Sequence, residues 1–140
     1  MLGCDSLLEI DGEAHGKPHT PDRATRAWRS MRGRTGVLHT GHHLVVSGPP
    51  LAGDGRPRRR PRSGVSSTGV RFADVTDAEI AAYVATGEPL QVAGAFTIDG
   101  LGGAFVERID GDHHGVLGLS LPLLRHLLAD LGIPYPALWT

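Results

Sequence analysis

Asp5 and Ser6 stand side by side in a short apolar stretch, GCDSLLEI, and Lys17 follows in a Gly-Lys-Pro turn. A carboxylate at the end of a buried strand can hold a divalent cation or orient an attacking water. A lysine set in a turn can reach a phosphate as a point charge. Both residues have a plainer reading. Asp5 could equally be a turn or capping aspartate, and spacing alone favours a solvated loop lysine for Lys17. Thirteen arginines accompany that one lysine, an imbalance expected of GC-rich coding, in which a retained lysine draws notice.

Other candidates are weaker. The IDGLGG segment, Ile98 to Gly103, could present backbone amides to a phosphate, but it matches neither a Walker loop nor a dinucleotide fingerprint. Base stacking would rest on very few aromatics, such as Phe96. Eight histidines include His39, His42 and His43, then His113 and His114 beside Asp110 and Asp112. A transition-metal site is conceivable there. Neighbouring strand residues point to opposite faces, however, so these doublets cannot all converge, and surface histidines are the preferred reading. Five arginines fall between Arg56 and Arg62. They could touch phosphate or nucleic acid, against the blander reading of a solvated loop insertion.

The elements that must position these groups are legible from period and punctuation. Leu7 to Ile10 reads as a short strand running into an Asp11-Gly12 turn. Thr20 is a helix N-cap with Pro21 at the first helical position; Ala24, Ala27, Trp28 and Met31 recur at helical spacing, and Gly33 ends the run. Val37 to Val46 is strand-like. Ser47 to Gly64, rich in Gly, Pro and Arg, has no apolar period and is expected to be an irregular or disordered loop. Val65 to Phe72 is a strand. Thr76 and Glu79 form a capping box for a helix with Ile80, Tyr83 and Val84 on its apolar face, stopped at Gly87. A glycine-rich loop then leads into a strand from Ala104 to Ile109. Ser120 caps a leucine-striped helix ending near Leu131, with Gly132 and Pro134 beyond. Strands alternating with helices predict one α/β domain over residues 1–140, its sheet covered by helices.

At 140 residues the chain can bury one real core, and 40% hydrophobic with 21% charged residues is globular composition. A formal net charge of −1 disfavours nucleic acid held by bulk electrostatics. No apolar run approaches a bilayer span, and no signal peptide is recognisable, so the expectation is a cytoplasmic protein away from membranes. One cysteine, Cys4, cannot form an internal disulfide or a Cys-based zinc cage.

Taken in order, GCDSLLEIDGEAHGKP, HTGHHLV, TGVRFADVTDAEIAAYVATGEPLQVAGAFTIDGLGGAFVERIDGD and GLSLPLLRHLL closely resemble the Maf family of nucleoside triphosphate pyrophosphatases, in its actinobacterial form. The resemblance runs from about Leu2 to Leu131. It implies a Maf/ITPase-like mixed sheet flanked by helices, and hydrolysis of a nucleoside triphosphate to the monophosphate and pyrophosphate with Mg²⁺ or Mn²⁺. It also implies a role in clearing non-canonical or excess nucleotides, a link to septum formation, and a homodimer. Asp5 matches the family's catalytic aspartate, assigned as proton acceptor; because aspartates are weak bases, much of its value would lie in holding metal or water. Lys17 matches the lysine that faces the triphosphate. Ser6 and Asp99 fall on positions tied to substrate choice, where dTTP/UTP-type members usually carry threonine and glutamine. Val92 stands where many members have a lysine, and His113 to Gly115 replaces a stretch often containing Ser-Asn.

Family members begin with a strand, a Ser-Pro-Arg-Arg loop that grips phosphates, and later a glutamate and a lysine, all before the catalytic aspartate. The resemblance therefore implies that the N-terminal strand and helix, about a third of the family's length, are missing. Met1 stands where relatives often have valine, as a misassigned GTG start would produce. The expectation is weak or absent turnover, with a nucleotide- or partner-binding remnant as the alternative.

Overall fold

A computed structural model describes residues 1–49 and 58–139. Five strands form one sheet in the order β2-β1-β3-β4-β5: β1 (Leu2–Ile10), β2 (Glu13–His15), β3 (Thr35–Gly48), β4 (Arg58–Phe72) and β5 (Val106–Asp110). Among the described residues the helices are α1 (Pro21–Met31), α2 (Asp77–Ala85), α3 (His113–Leu117) and α4 (Leu121–Asp130), with short 3₁₀ turns between β4 and β5 and following α4. The α/β class is the one expected. Its direct neighbours are antiparallel in all four described pairings, where the family resemblance implies a mixed sheet. The helical connections either join strands that are not neighbours, as α1 does between β2 and β3, or return beside the strand they left, as α2 and the turns do between β4 and β5.

The local signals produce the elements they name. Thr20 accepts from the Arg23 amide and Pro21 follows it. Thr76 and Glu79 close a reciprocal capping box, and Ser120 accepts from the Leu123 amide. Each satisfies amides that a helix start would otherwise leave open.

Where the sequence reads an irregular loop over 47–64, the structure differs. Ser47 and Gly48 close β3, and Arg58 to Gly64 form the first half of β4, paired from Gly48↔Arg58 through His42↔Gly64. Backbone ladder bonds to a long partner recruited this segment without help from apolar alternation, because its side chains lie largely in solvent. Pro61 is tolerated because β5 covers β4 only from Gly69 to Phe72, so that among the described residues no strand pairs with the edge beside it. Arg56 lies outside the described residues. Of the others, Arg60 donates to the Leu131 carbonyl at the end of α4, at 3.0 Å.

Two apolar clusters hold the helices to one face of the sheet. The larger centres on Trp28, whose ring meets Phe72, Tyr83 and Phe105 edge to face and whose Nε1 donates to the Ala95 carbonyl at 2.7 Å. The smaller joins Leu44 of β3 to Leu124, Leu127, Leu128 and Leu131. The opposite face carries His39, His43, Leu7 and Val65, the last 63% exposed. β2 pairs with β1 only over Leu8 to Ile10, so among the described residues the outer edge of Leu2 to Leu7 has no strand partner.

Candidate functional site

β1 brings Asp5 and Ser6 to the mouth of a cavity of about 240 Å³. Lys17 joins them from the β2–α1 connection, which two backbone bonds tie to the far wall: His19 N to Leu90 O at 2.8 Å and Gly94 N to Gly16 O at 3.2 Å. That wall is residues 91–99, where Gly94 and Ala95 at positive φ turn the chain inward and present Val92, Phe96, Thr97, Ile98 and Asp99. Val116 and Leu117 at the end of α3 complete the lining. The structure thus gathers Asp5, Ser6, Lys17 and Asp99 around one cavity. Among the described residues its charged lining is Lys17, Asp99 and Asp5; Asp5 alternates with Ser6 along β1 and also borders a hollow with Gly41, His43 and Val65 on the sheet's other face. Leu38, Phe96, Val116 and Leu117 make an apolar side. Phe96 is 4% exposed, so its ring belongs to the core more than to the cleft surface.

Glu88 holds the 97–103 loop in place. Its Oε1 accepts from Tyr83 Oη at 2.8 Å, from the Gly102 amide at 3.1 Å and, by a short bond, from Thr97 Oγ1; its Oε2 accepts from the Leu101 amide at 3.0 Å. Burial by itself would raise this carboxyl, but the four donors outweigh it and hold it down at about 2. Burial and the bond to Glu88 push the Tyr83 hydroxyl up to about 12. The loop wraps so tightly that a Cβ on Gly102 would sit 2.3 Å from Tyr83 Oη. Two amides of the IDGLGG segment therefore serve a carboxylate of the same chain, and are not offered to a phosphate as the sequence suggested.

Behind Ser6 runs a buried polar chain. Ser6 Oγ lies 2.8 Å from Thr40 Oγ1, which donates to the Gly115 carbonyl at 2.9 Å. His42, 2% exposed, donates from Nδ1 to the Thr40 carbonyl and accepts at Nε2 from the Ser120 amide, both at 2.9 Å. Ser120 Oγ and the His114 amide donate to the two oxygens of Asp112, outweighing its burial and holding that carboxyl below its ordinary value.

The histidines do not converge. His42 faces the core, while His39 and His43 face the other way and bond Ser67 and Ser63. Asp112, His113 and His114 do bring ligand atoms within 4.8 Å of one another. Both Asp112 oxygens are already engaged and the two rings lie against each other at a tilt, centroids 4.0 Å apart, so the cluster is a helix cap before it is a metal centre.

Cys4, Gln91, Thr97, Val116 and Leu117 line the cavity without having been marked by the sequence. α3 is too short to show a period, and the 3₁₀ turns that aim Thr97 depend on Glu88, fourteen residues before Gly102.

Residues 1–131 match the family described as Maf-like protein. The nucleoside triphosphate pyrophosphatase of Salinispora tropica is 59% identical over 140 residues, covering 100% of this chain and 58% of the relative. That of Cutibacterium acnes is 55% identical over 139 residues, covering 99% and 62%. That of Streptomyces avermitilis is 51% identical over 140 residues, covering 100% and 64%. The chain spans less than two thirds of the length of each.

Proposed function

The chain belongs to the Maf-like family, and on that premise we propose that it hydrolyses a nucleoside triphosphate, non-canonical or dTTP/UTP-like, to the monophosphate and pyrophosphate in the Asp5 cleft. The observation that carries this is the gathering of Asp5, Ser6, Lys17 and Asp99, from three separate segments, around one cavity. The 50–59% identity to proteins named nucleoside triphosphate pyrophosphatase supports it.

Water attacks the α-phosphorus, the bond to the α,β-bridging oxygen breaks, and the electron pair leaves with pyrophosphate. Asp5 orients the water and takes its proton on the carboxylate. Lys17 neutralises charge on the phosphate oxygens, and Ser6 and Asp99 contact the nucleoside end. Asp5 is exposed, and while its Oδ1 accepts from the neighbouring Ser6 amide at 3.0 Å, a carboxylate oxygen is the donor type a hard divalent cation takes. Mg²⁺ or Mn²⁺, when bound, supplies charge neutralisation on the phosphates, and Asp5 would hold it. Among the described residues no helix is long and apolar enough to cross a membrane; a cytoplasmic homodimer, without nucleic acid, completes the reading.

A second reading, nucleotide binding with weak or no turnover, draws on the charge of the cleft. Among the described residues the cleft's charged lining is one lysine and two aspartates, and a single preorganised contact to developing charge is worth roughly 3 kcal/mol. Pyrophosphate release by the 140-residue chain with Mg²⁺ or Mn²⁺, across canonical and modified triphosphates, separates the two. Turnover that falls by about 10² or more in Asp5→Asn, with binding retained, supports the first. Binding without turnover leaves the second, and absence of both overturns each.

A further inference from the structure

We propose that Thr40 fixes Ser6 as an obligate hydrogen-bond acceptor, so that the ligand group meeting Ser6 must bring an N–H or O–H of its own. This rests on the triphosphate reading above and adds a residue and a selection rule to it.

The order of hydrogens follows from counting them. Thr40 Oγ1 stands 2.8 Å from Ser6 Oγ and 2.9 Å from the Gly115 carbonyl. A threonine hydroxyl carries one hydrogen, and a carbonyl carries none to give. If Thr40 donated to Ser6, its oxygen and the Gly115 oxygen would face each other at 2.9 Å with no hydrogen between them. Thr40 is 1% exposed, so that mismatch would go unrelieved by solvent. The reverse order satisfies every atom: Ser6 donates to Thr40, and Thr40 donates to Gly115. Bonds chained in one direction also strengthen one another.

The acceptor at the end of this chain is held firmly. A Cβ on Gly115 would lie 2.5 Å from Ser66 Oγ, so α3 sits flush against β4. Thr68 Oγ1 donates to the Asp112 carbonyl at 3.1 Å, and Ser120 holds the Asp112 side chain, pinning the start of α3. On its own strand, the Thr40 carbonyl accepts from His42 Nδ1, and β-branching limits its χ1.

Ser6 lines the cleft with its one hydrogen already turned inward. What remains facing the ligand is lone pairs. Phosphate and carbonyl oxygens are disfavoured there, and an N–H of a base or an O–H of a sugar is favoured. Ser6 thus reads the nucleoside by its donors.

The probes are the α,β-methylene analogues of UTP, N3-methyl-UTP and 2′-deoxy-UTP, which cannot release pyrophosphate, titrated calorimetrically with Mg²⁺. In the wild-type chain, one of the two donor deletions should weaken binding on the order of tenfold. That difference should vanish in Ser6→Ala, shrink in Thr40→Val, and survive in Thr40→Ser, which keeps the hydroxyl. Donor deletions without effect, a Thr40→Ser variant that behaves like Thr40→Val, or a Ser6→Ala defect that only raises the Mg²⁺ requirement would each overturn the proposal. A ligand-free measurement decides the hydrogen order by itself: the Thr40 hydroxyl proton should exchange slowly and couple through its bond to the Gly115 carbonyl carbon. Absence of that coupling overturns the order. Failure of every analogue to bind, with the coupling present, instead removes the triphosphate reading and the selection rule with it.

Discussion

Glu88 and Asp5 are both carboxylates near the cleft, and their surroundings set them to opposite uses. Asp5 is exposed and engages a neighbouring amide, which leaves it open to water or a cation. Glu88 has four donors from the chain itself. Its folded value of about 2 lies below its ordinary 4.5. A depressed carboxyl contributes stability that is present above the ordinary value and lost as pH falls through the folded one. Urea unfolding followed from neutral pH to pH 2 should therefore show stability falling between about 4.5 and about 2. The Glu88→Gln variant should flatten that fall and lose roughly 1–3 kcal/mol at neutral pH, because two amides and two hydroxyls then face an uncharged group with its own donors. Nothing in the sequence marked Glu88. It reads as an ordinary acid after a helix stop, and only the returning loop gives it work.

The elements differ in how much of their form is local. α1, α2 and α4 were legible because capping side chains and apolar period lie within a few residues of one another. The Thr97–Gly103 loop was not, because its shape depends on Tyr83 and Glu88 from elsewhere. Gly102→Ala tests that dependence. Its new methyl would meet Tyr83 Oη, so thermal unfolding should show a loss of about 1–3 kcal/mol, and Leu101 and Gly102 amide exchange should quicken. On the other side of the sheet's helical layer, Leu127→Ala would open the smaller apolar cluster. A loss of about 2–5 kcal/mol in denaturant unfolding is expected there, without faster exchange in the Thr97–Gly103 loop. The first half of β4 was misread as loop for the same reason the Glu88 loop was invisible: its partner, β3, supplies the order.

Across the whole molecule, the helices cover one face of the sheet, and the cleft opens where β1, the Lys17 turn and residues 91–99 meet. Beside that cleft, Leu2 to Leu7 of β1 offer an outer edge without a strand partner among the described residues. The formal net charge of −1 and the single lysine in the cleft leave a triphosphate short of positive charge. Divalent cations should therefore govern affinity. Titration of a non-hydrolysable triphosphate analogue in EDTA should show binding weaker by at least about tenfold than in Mg²⁺, and equal affinity in both would sink the charge argument.

The amino-acid sequence by itself determined the family, the α/β class, the three longer helices with their caps, and the candidates Asp5, Ser6, Lys17 and Asp99. These follow from period, punctuation and motif order, all written within short stretches of chain. Only the tertiary structure decided that those four residues border one cavity, that the glycine-rich loop is closed around Glu88, and that Thr40 stands between Ser6 and the Gly115 carbonyl. The Glu88–Gly102 and Thr40–Gly115 bonds span 14 and 75 residues. The direction of a hydrogen bond depends on which atoms burial brings together, and burial is a property of the packed chain.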